Sequence, residues 1–467
     1  MKNLVMGTGK GYSWYVLEPF VRSFLKNCSE NTDLVLFVEG VSDFTLNQLK
    51  SFGERIKIEP FPEYAKTGRP NNLRWKIFRD YCRIHGAEYS QILTSDTRDV
   101  IFQDDVFKFF EMYPAYWAYA TEYDNIKGER TGTNLNYKWL TESLGKAEAD
   151  KLADKDIICD GTVIGTSKEM LFFFEKMVEN IPSFDTGHDQ IIQQYLYYHN
   201  LLPFENIIKM DNISGVIFTP GLFYILNREV VKDNKILRGD GGVPAVVHQY
   251  DRKKSLIQFV NILYRKKDFK FNSNFTDIDS IFDQMYHLIH AENWKDLLKV
   301  FVNYFMDNAD TFYNKTEYSV SFAGDPSRKF SEYLFQIYQT LLNTNNPSKP
   351  EIEILQLFLQ HAMIQAFSKE MNINHLSQIY SLTMYSIKNN INVTPALKNF
   401  LYKRLLDLAN LFVENGDLKN AEMCLKNLVE TELPLKEDFY LMQAKIYRKM
   451  KRKEDALKAY QKLLEME

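Results

Sequence analysis

The densest chemistry in the chain lies between Ser90 and Phe107, SQILTSDTRDVIFQDDVF. An apolar run, Gln91 to Thr94, opens into Ser95-Asp96-Thr97-Arg98-Asp99; a second, Val100 to Phe102, leads to Gln103-Asp104-Asp105 and a helix. Two carboxylates at the end of a buried strand suit a hard divalent cation, because Mg2+ or Mn2+ takes one or two protein carboxylates and completes its shell with water and phosphate oxygens. The same residues can also satisfy one another. Asp96 or Asp99 can pair with Arg98 while Asx turns tighten the loop, and on spacing alone this local reading comes first. Asp105 fits the N-cap of the helix that follows.

Other candidates are weaker taken singly. Gly7-Thr8-Gly9-Lys10-Gly11 has neither the spacing of a Walker A loop nor that of the dinucleotide fingerprint, so a turn over a nucleotide and a plain strand-to-helix loop stand level. Thr186-Gly187-His188-Asp189 has the form of a helix-capping box with Asp189 at the third helical position. His248, alone in the apolar run Ala245 to His248, reads by itself as a satisfied core histidine, and His85 and His188 read as structural. The helix expected over Asn71 to Gly86 carries Arg74, Lys76, Arg79 and Arg83, mostly on a solvated face.

These residues need elements to hold them, and the first 250 or so residues supply an α/β pattern. Short runs rich in Val, Ile and Phe predict strands at Asn3–Met6, Asp33–Val38, Ile56–Ile58, Gln91–Thr94, Val100–Phe102, Tyr116–Ala120, Thr162–Gly165, Gly215–Phe218 and Ala245–His248. Amphipathic stretches such as Tyr15–Lys26 and Leu73–His85 predict helices between them, hence a mostly parallel sheet with crossover helices and ligands beyond the carboxyl ends of its strands. After about Lys267 strand signals fade and helix follows helix. Ala421 and Ala456, 35 residues apart in register with Leu408, Leu425, Tyr447 and Tyr460, predict tetratricopeptide-like helix pairs, with Pro434 between the two units. Gly324–Ser327 and Asn343–Pro350 mark breaks in the helical stretch before them.

Composition narrows the field. The 467 residues include 57 Lys+Arg against 61 Asp+Glu, a formal net charge of −4, which argues against a dedicated nucleic-acid binder. Aromatic residues make up 14% of the chain, and core packing accounts for most of them before any sugar-stacking role. Cys28, Cys82, Cys159 and Cys424 are too scattered for a zinc site or a disulfide framework, so they are expected reduced and buried. No signal peptide and no apolar stretch of the roughly 18 residues that a spanning helix needs is visible. A cytoplasmic protein is expected, with peripheral contact at the inner face of a membrane left open.

At Ser90–Phe107 the sequence resembles the nucleotide-sugar-dependent glycosyltransferases of the GT-A fold, particularly members with a strand ending in D-x-R-D-V-x-F-Q-x-D. Other pieces follow in that family's order: Gly7-Thr8-Gly9 after the first strand, Asp160-Gly161-Thr162-Val163-Ile164-Gly165, Gly187-His188-Asp189-Gln190, and Pro244–Arg252 with its late histidine. The resemblance covers about residues 1 to 255. It implies donor contacts at Gly7, Thr8, Gly9, Arg74, Asp96, Arg98 and Gly161, and catalytic or acceptor roles for Asp160 and Asp189. It also implies a divalent Mn2+ or Mg2+ ion on Asp96, Asp99 and His248. Where the family has D-x-D, this chain has Arg98 third and Asp99 fourth. Either Asp99 completes the metal site with His248, or Arg98 itself meets the donor diphosphate with its bidentate guanidinium; the late histidine favours the metal. Gly239-Asp240-Gly241-Gly242 is a candidate lid over the donor.

The expected organisation is a GT-A-like domain over 1–265, a helical domain over 266–400 and tetratricopeptide-like repeats over 401–467. The expected activity is transfer of a sugar from a nucleoside diphosphate donor to a hydroxyl of a glycan, lipid-linked or protein acceptor, with the repeats holding a protein partner. Two other readings stand beside it: a helical-repeat interaction protein whose α/β domain only binds a nucleotide-sugar or has lost activity, and a nucleotidyltransferase, for which Lys10 alone is thin support.

Overall fold

A computed structural model describes residues 1–185, 188–221, 230–266, 268–275, 277–291, 293, 296–297, 300, 395–429 and 435–466. They form two units, one built on Met1–Lys267 together with Asn272–His287, the other containing the helices from residue 395 onward. Pro434, Gly324–Ser327 and Asn343–Pro350 lie outside the described residues, as do residues 301–394 of the expected 266–400 helical domain.

The first unit is an α/β layer structure. Its main sheet holds β1 (Lys2–Lys10), β2 (Thr32–Glu39), β3 (Ile56–Pro60), β4 (Tyr89–Ser95), β6 (Trp117–Asn125), β7 (Asp156–Thr166) and β8 (Ile207–Met210), in the order β3-β2-β1-β4-β7-β6-β8. β1 and β2 are near-continuous apolar runs buried on both faces, as parallel strands covered by helices must be. Neighbours run parallel except at β7, which is antiparallel to both β4 and β6. The chain leaves β1 towards β2 and β3 on one side and returns to β4 on the other. The carboxyl ends of β1 and β4 therefore flank a topological switch point, where such sheets bind ligands.

Two features aim residues at that point. β5 (Val100–Phe102), immediately after the Asp96–Asp99 loop, joins β9 (Ile217–Phe218) and β12 (Val246–His248) in a second sheet of order β5-β12-β9, with His248 opposite Val100. This pairing carries a histidine 149 positions further along the chain to the side of Asp99. In β7 the register against β6 jumps from Tyr119↔Val163 to Ala120↔Cys159, so Asp160, Gly161 and Thr162 bulge out of that pairing. Bulges of this kind re-aim side chains beside functional sites. A two-residue hairpin, β10 (Val231–Lys232) with β11 (Lys235–Ile236), completes the strands among the described residues.

Helices cover the sheet. α1 (Trp14–Asn27) starts at Ser13, whose hydroxyl accepts from the Val16 amide, and α2 (Asp43–Lys50) starts at Ser42 in the same way. α3 (Pro70–His85) has proline in its first turn and packs on α6 (Ser167–Asn180) through an aromatic cluster in which Trp75 and Phe173 meet edge-on at 5.3 Å. Trp117, Phe78 and Phe174 join it, so much of the aromatic content is core here. α4 (Leu135–Leu144), α5 (Lys146–Leu152), α7 (Asp189–Tyr198), α8 (Lys254–Tyr264) and α9 (Ile278–His290) complete this part of the chain. Asp283 of α9 accepts from the Trp14 and Tyr15 amides and from the hydroxyls of Thr45 and Ser42, capping α1 and α2 together.

Several expectations are corrected. Gly7-Thr8-Gly9 lies inside β1, not in a turn after it, because the strand runs on to Lys10. β8 is a strand the apolar pattern does not flag, since Ile207 and Lys209 are exposed at the sheet edge. Asp105 opens a single 3-10 turn, Phe107–Phe110, rather than an α-helix, accepting from the Phe107 amide at 3.1 Å. Gly239–Gly242 is a turn closed on itself by Arg238 N to Gly242 O (2.9 Å) and by the Asp240 carboxylate, which accepts from Arg238 and Gly242.

In the second unit, α10 (Pro395–Glu414) and α11 (Leu418–Val429) form one helical hairpin, α12 (Glu437–Lys449) and α13 (Lys453–Leu464) another. Gly416, with a left-handed φ of 78°, makes the first turn. Ala421 and Ala456 are both buried where close helix approach requires small side chains.

Candidate functional site

Asp96 follows β4 and its amide donates to the Gly161 carbonyl (2.7 Å), tying the loop to the β7 bulge. Thr97 Oγ1 donates to the Thr8 carbonyl (2.8 Å) at the end of β1. Asp99 then enters β5 and His248 ends β12. One ligand atom from each of Asp96, Asp99 and His248 lies within 4.8 Å of the others. His248 Nε2 is 3.4 Å from Asp96 Oδ2 and 3.7 Å from Asp99 Oδ1. That nitrogen is buried without a hydrogen-bond partner, while Nδ1 is 3.3 Å from Cys159 Sγ. Asp96 is 39% exposed and Asp99 4%, so the cluster opens to solvent on the Asp96 side only.

Gly161 closes the opposite side. A Cβ on it would lie 2.3 Å from His248 Cε1 and 2.7 Å from Asp96 Oδ2, so only glycine leaves the three ligands room. Two carboxylates, one imidazole with its buried Nε2 facing them, and a wall lacking a side chain fit a divalent cation of the Mn2+ or Mg2+ class. Burial opposes ionisation at Asp96, but Arg74 and then His248 hold its carboxyl well below the usual range. Asp99 moves the other way: burial raises its pKa, and the neighbouring carboxylates of Asp96 and Asp251 add to the rise.

Arg74 corrects one expectation. It is buried, not on a solvated face, and its guanidinium binds three carboxylates: Nη1 to Asp96 Oδ1 (2.5 Å), Nη2 to Asp160 Oδ2 (2.7 Å), Nε to Asp189 Oδ2 (3.0 Å). It also lines the cleft in front of them, where a donor contact is expected. Asp189 Oδ2 accepts from Arg74 and from Trp75 Nε1 (2.9 Å), and His188, the residue before α7, makes no side-chain cap among the described residues. Thr186 and Gly187 lie outside the described residues. Burial raises the Asp160 carboxyl well above its usual pKa, reinforced by Asp189 and opposed by Arg74.

In front of this cluster is a polar cleft of about 350 Å3, into which Lys10, Arg69, Arg98 and Arg252 project beside Asp96, Asp99 and His248. Thr8 lines it; Gly7 and Gly9 do not. Gly7 serves packing, since a Cβ there would meet Thr97 Cγ2 at 2.3 Å, whereas Gly9 has ordinary space around it. Arg98, although at the cleft, sits 3.4 Å from Asp99 and 3.3 Å from Asp251, so the local ion pair anticipated from spacing is present together with the metal-type cluster. Asp160 and Asp189 are not among the residues that line the cleft; both stand behind it on Arg74. A second cavity, of about 770 Å3, shares Lys10, Arg69 and Pro70 with the cleft and extends to Glu39, Gly40 and Lys66 beyond β2.

Tyr12, Arg69, Gln249, Arg252 and Cys159 are site residues that the sequence reading passed over. Arg252 stands in the quoted segment Pro244–Arg252, where attention fell on the histidine; Gln249 beside it has a left-handed φ of 61°, which turns the chain out of β12 into the cleft wall. Burial pushes the Tyr12 phenol up to about 12, so it acts there as a neutral hydroxyl.

No protein-family model and no curated protein matches the chain. Among solved structures, the WbbM bifunctional glycosyltransferase in its apo form aligns at 11% identity and a TM-score of 0.35, over 56% of this chain and 49% of that one. The match thus spans about half of that protein, and a likeness this low carries no argument.

Proposed function

We propose that the first unit is a glycosyltransferase of the GT-A type that uses a nucleoside diphosphate sugar and a divalent metal ion. The observation that carries the reading is the convergence of Asp96 and Asp99 from one loop with His248 from a distant strand, around a buried imidazole nitrogen without a hydrogen-bond partner at the β1/β4 switch point. A divalent ion held there supplies positive charge to the leaving diphosphate. The chain's own residues do the rest. Lys10, Arg69 and Arg252 line the cleft with cations positioned for phosphate oxygens. Arg74 holds Asp96 in place and ties Asp160 and Asp189 behind it, so that these two position the site rather than touch the donor phosphates. Thr8 at the end of β1 and the bulge at Gly161 shape the two walls.

The same proposal keeps the three expected parts but moves two limits, taking Asn272–His287 with the first unit and opening the last part with α10 at Pro395; it reads the two hairpins α10–α11 and α12–α13 as tetratricopeptide-like pairs that hold a protein partner or an acceptor. Among the described residues no helix is long and apolar enough to cross a membrane.

The test is turnover of UDP-, GDP- and CMP-sugars by the full chain with EDTA, then with Mn2+ restored, using Asp96→Ala as control. Donor turnover that needs Mn2+ and is lost in the variant supports the reading. Turnover indifferent to EDTA removes the metal from it; absence of donor binding across the panel removes the activity.

A further inference from the structure

A histidine that binds a metal through one nitrogen depends on what the other nitrogen touches, because that contact fixes the tautomer and the ring orientation. The usual partner is a carboxylate, a backbone carbonyl or water. Here it is a thiol: Cys159 Sγ stands 3.3 Å from His248 Nδ1, both groups buried. Glu122 of β6 is a neighbour of this thiol, and its Oε1 accepts from Gln249 Nε2 at 3.3 Å. A thiol has one hydrogen to give and a sulfur that accepts weakly. A ring that binds a metal through Nε2 must carry its hydrogen on Nδ1, and the Cys159 sulfur is the acceptor placed for it. In that tautomer Nε2 turns a lone pair towards Asp96 Oδ2 and Asp99 Oδ1, 3.4 and 3.7 Å away.

The placement is built by the fold. Cys159 is the residue at which β7 resumes its pairing with β6 after the bulge at Asp160–Thr162, so the irregularity that brings Gly161 against the imidazole also sets the thiol behind it.

We propose that Cys159 is a positioning residue that holds His248 in its Nδ1–H tautomer with Nε2 presented to a divalent ion on Asp96 and Asp99. The inference rests on the metal reading above and adds to it a group that touches neither ion nor donor.

The experiment is a Mn2+ titration of the full chain without donor, following free Mn2+ by its EPR signal, for wild type, Cys159→Ser and Cys159→Val. Far-UV circular dichroism and melting curves establish that each variant is folded. Serine keeps a hydroxyl that can accept from Nδ1–H, so its Mn2+ affinity should stay close to that of wild type. Valine keeps the apolar packing but cannot hydrogen-bond, and its Kd should rise about 10- to 100-fold. A purely packing role predicts the reverse order, since a buried hydroxyl fits an apolar niche worse than valine does. Wild-type affinity in Cys159→Val, or equal losses in the two variants, overturns the inference while leaving the metal site standing. A wild-type protein that binds no Mn2+ overturns the metal reading, and this inference with it.

Discussion

Gly161 sits so close to His248 and Asp96 that any side chain there must displace one of them. Gly161→Ala is therefore expected to abolish Mn2+ binding, with an overpacking cost to stability of about 1–3 kcal/mol, measurable by EPR titration beside a denaturant melt. Arg74 makes the opposite kind of contribution, mostly structural. Removing it in Arg74→Leu leaves Asp96, Asp160 and Asp189 buried near one another without their shared counter-charge, and should destabilise the unit by about 3–5 kcal/mol. His248→Ala removes a ligand and also the buried group that favours the charged forms of Asp96 and Asp99, so it should lower the melting temperature as well as cut metal-dependent donor turnover by about 10²-fold or more. How visible these roles were in the sequence follows from their physics. Asp96 and Asp99 announce themselves at a strand end, and the resemblance adds His248. Arg74 is hidden because its helix also carries Arg79 and Arg83, and nothing local distinguishes the arginine that faces three carboxylates from those that face solvent. Cys159 is hidden because a thiol in an apolar strand looks like core until a histidine 89 positions away is laid against it.

At the scale of elements, alternation of apolar runs and amphipathic stretches was enough to place most strands of the main sheet and the helices α1 and α3, because each is long and buried on a consistent face. Bounds and irregularities were not legible. The apolar run Thr162–Gly165 is only the second half of β7, and the bulge before it depends on the register chosen by β6, a partner some 40 residues upstream. α9 offers a test of how elements are tied. Burial raises the Asp283 carboxyl to about 6, although Thr45, the Trp14 and Tyr15 amides and Ser42 all favour its charged form. A carboxyl with a folded pKa above its unfolded value binds more protons when folded between about pH 4 and 6, so its contribution to stability is greatest below that window and is lost as pH rises through it. The shift corresponds to about 3 kcal/mol. His287 packs beside it and contacts Glu18, whose carboxyl burial also raises, so the measurement is a difference: from pH 4 to 7 the stability of Asp283→Asn should fall less than that of wild type, by chemical denaturation at each pH.

At the scale of the whole molecule, a net charge of −4 coexists with a cleft whose mouth carries Lys10, Arg69 and Arg252. Cations concentrated in one concave site can serve a small polyanion without making the surface as a whole basic. Nucleoside diphosphate affinity, measured by calorimetry on the full chain with Mn2+, should accordingly weaken as NaCl rises from about 0.05 to 0.5 M, as the screening length shrinks below the spacing of these charges. Lys10 and Arg69 line both the cleft and the cavity beyond β2, so the two adjoin.

The seating of His248 opposite Val100 also has a temporal side. A ribosome adding about 5–20 residues per second needs on the order of 10–30 s to travel from Asp99 to His248. During that interval a growing chain carries both carboxylates but not the imidazole that completes the cluster. The proposed ion site is therefore completed late in synthesis, and a product truncated before β12 would carry most of the sheet yet lack the third member of the cluster.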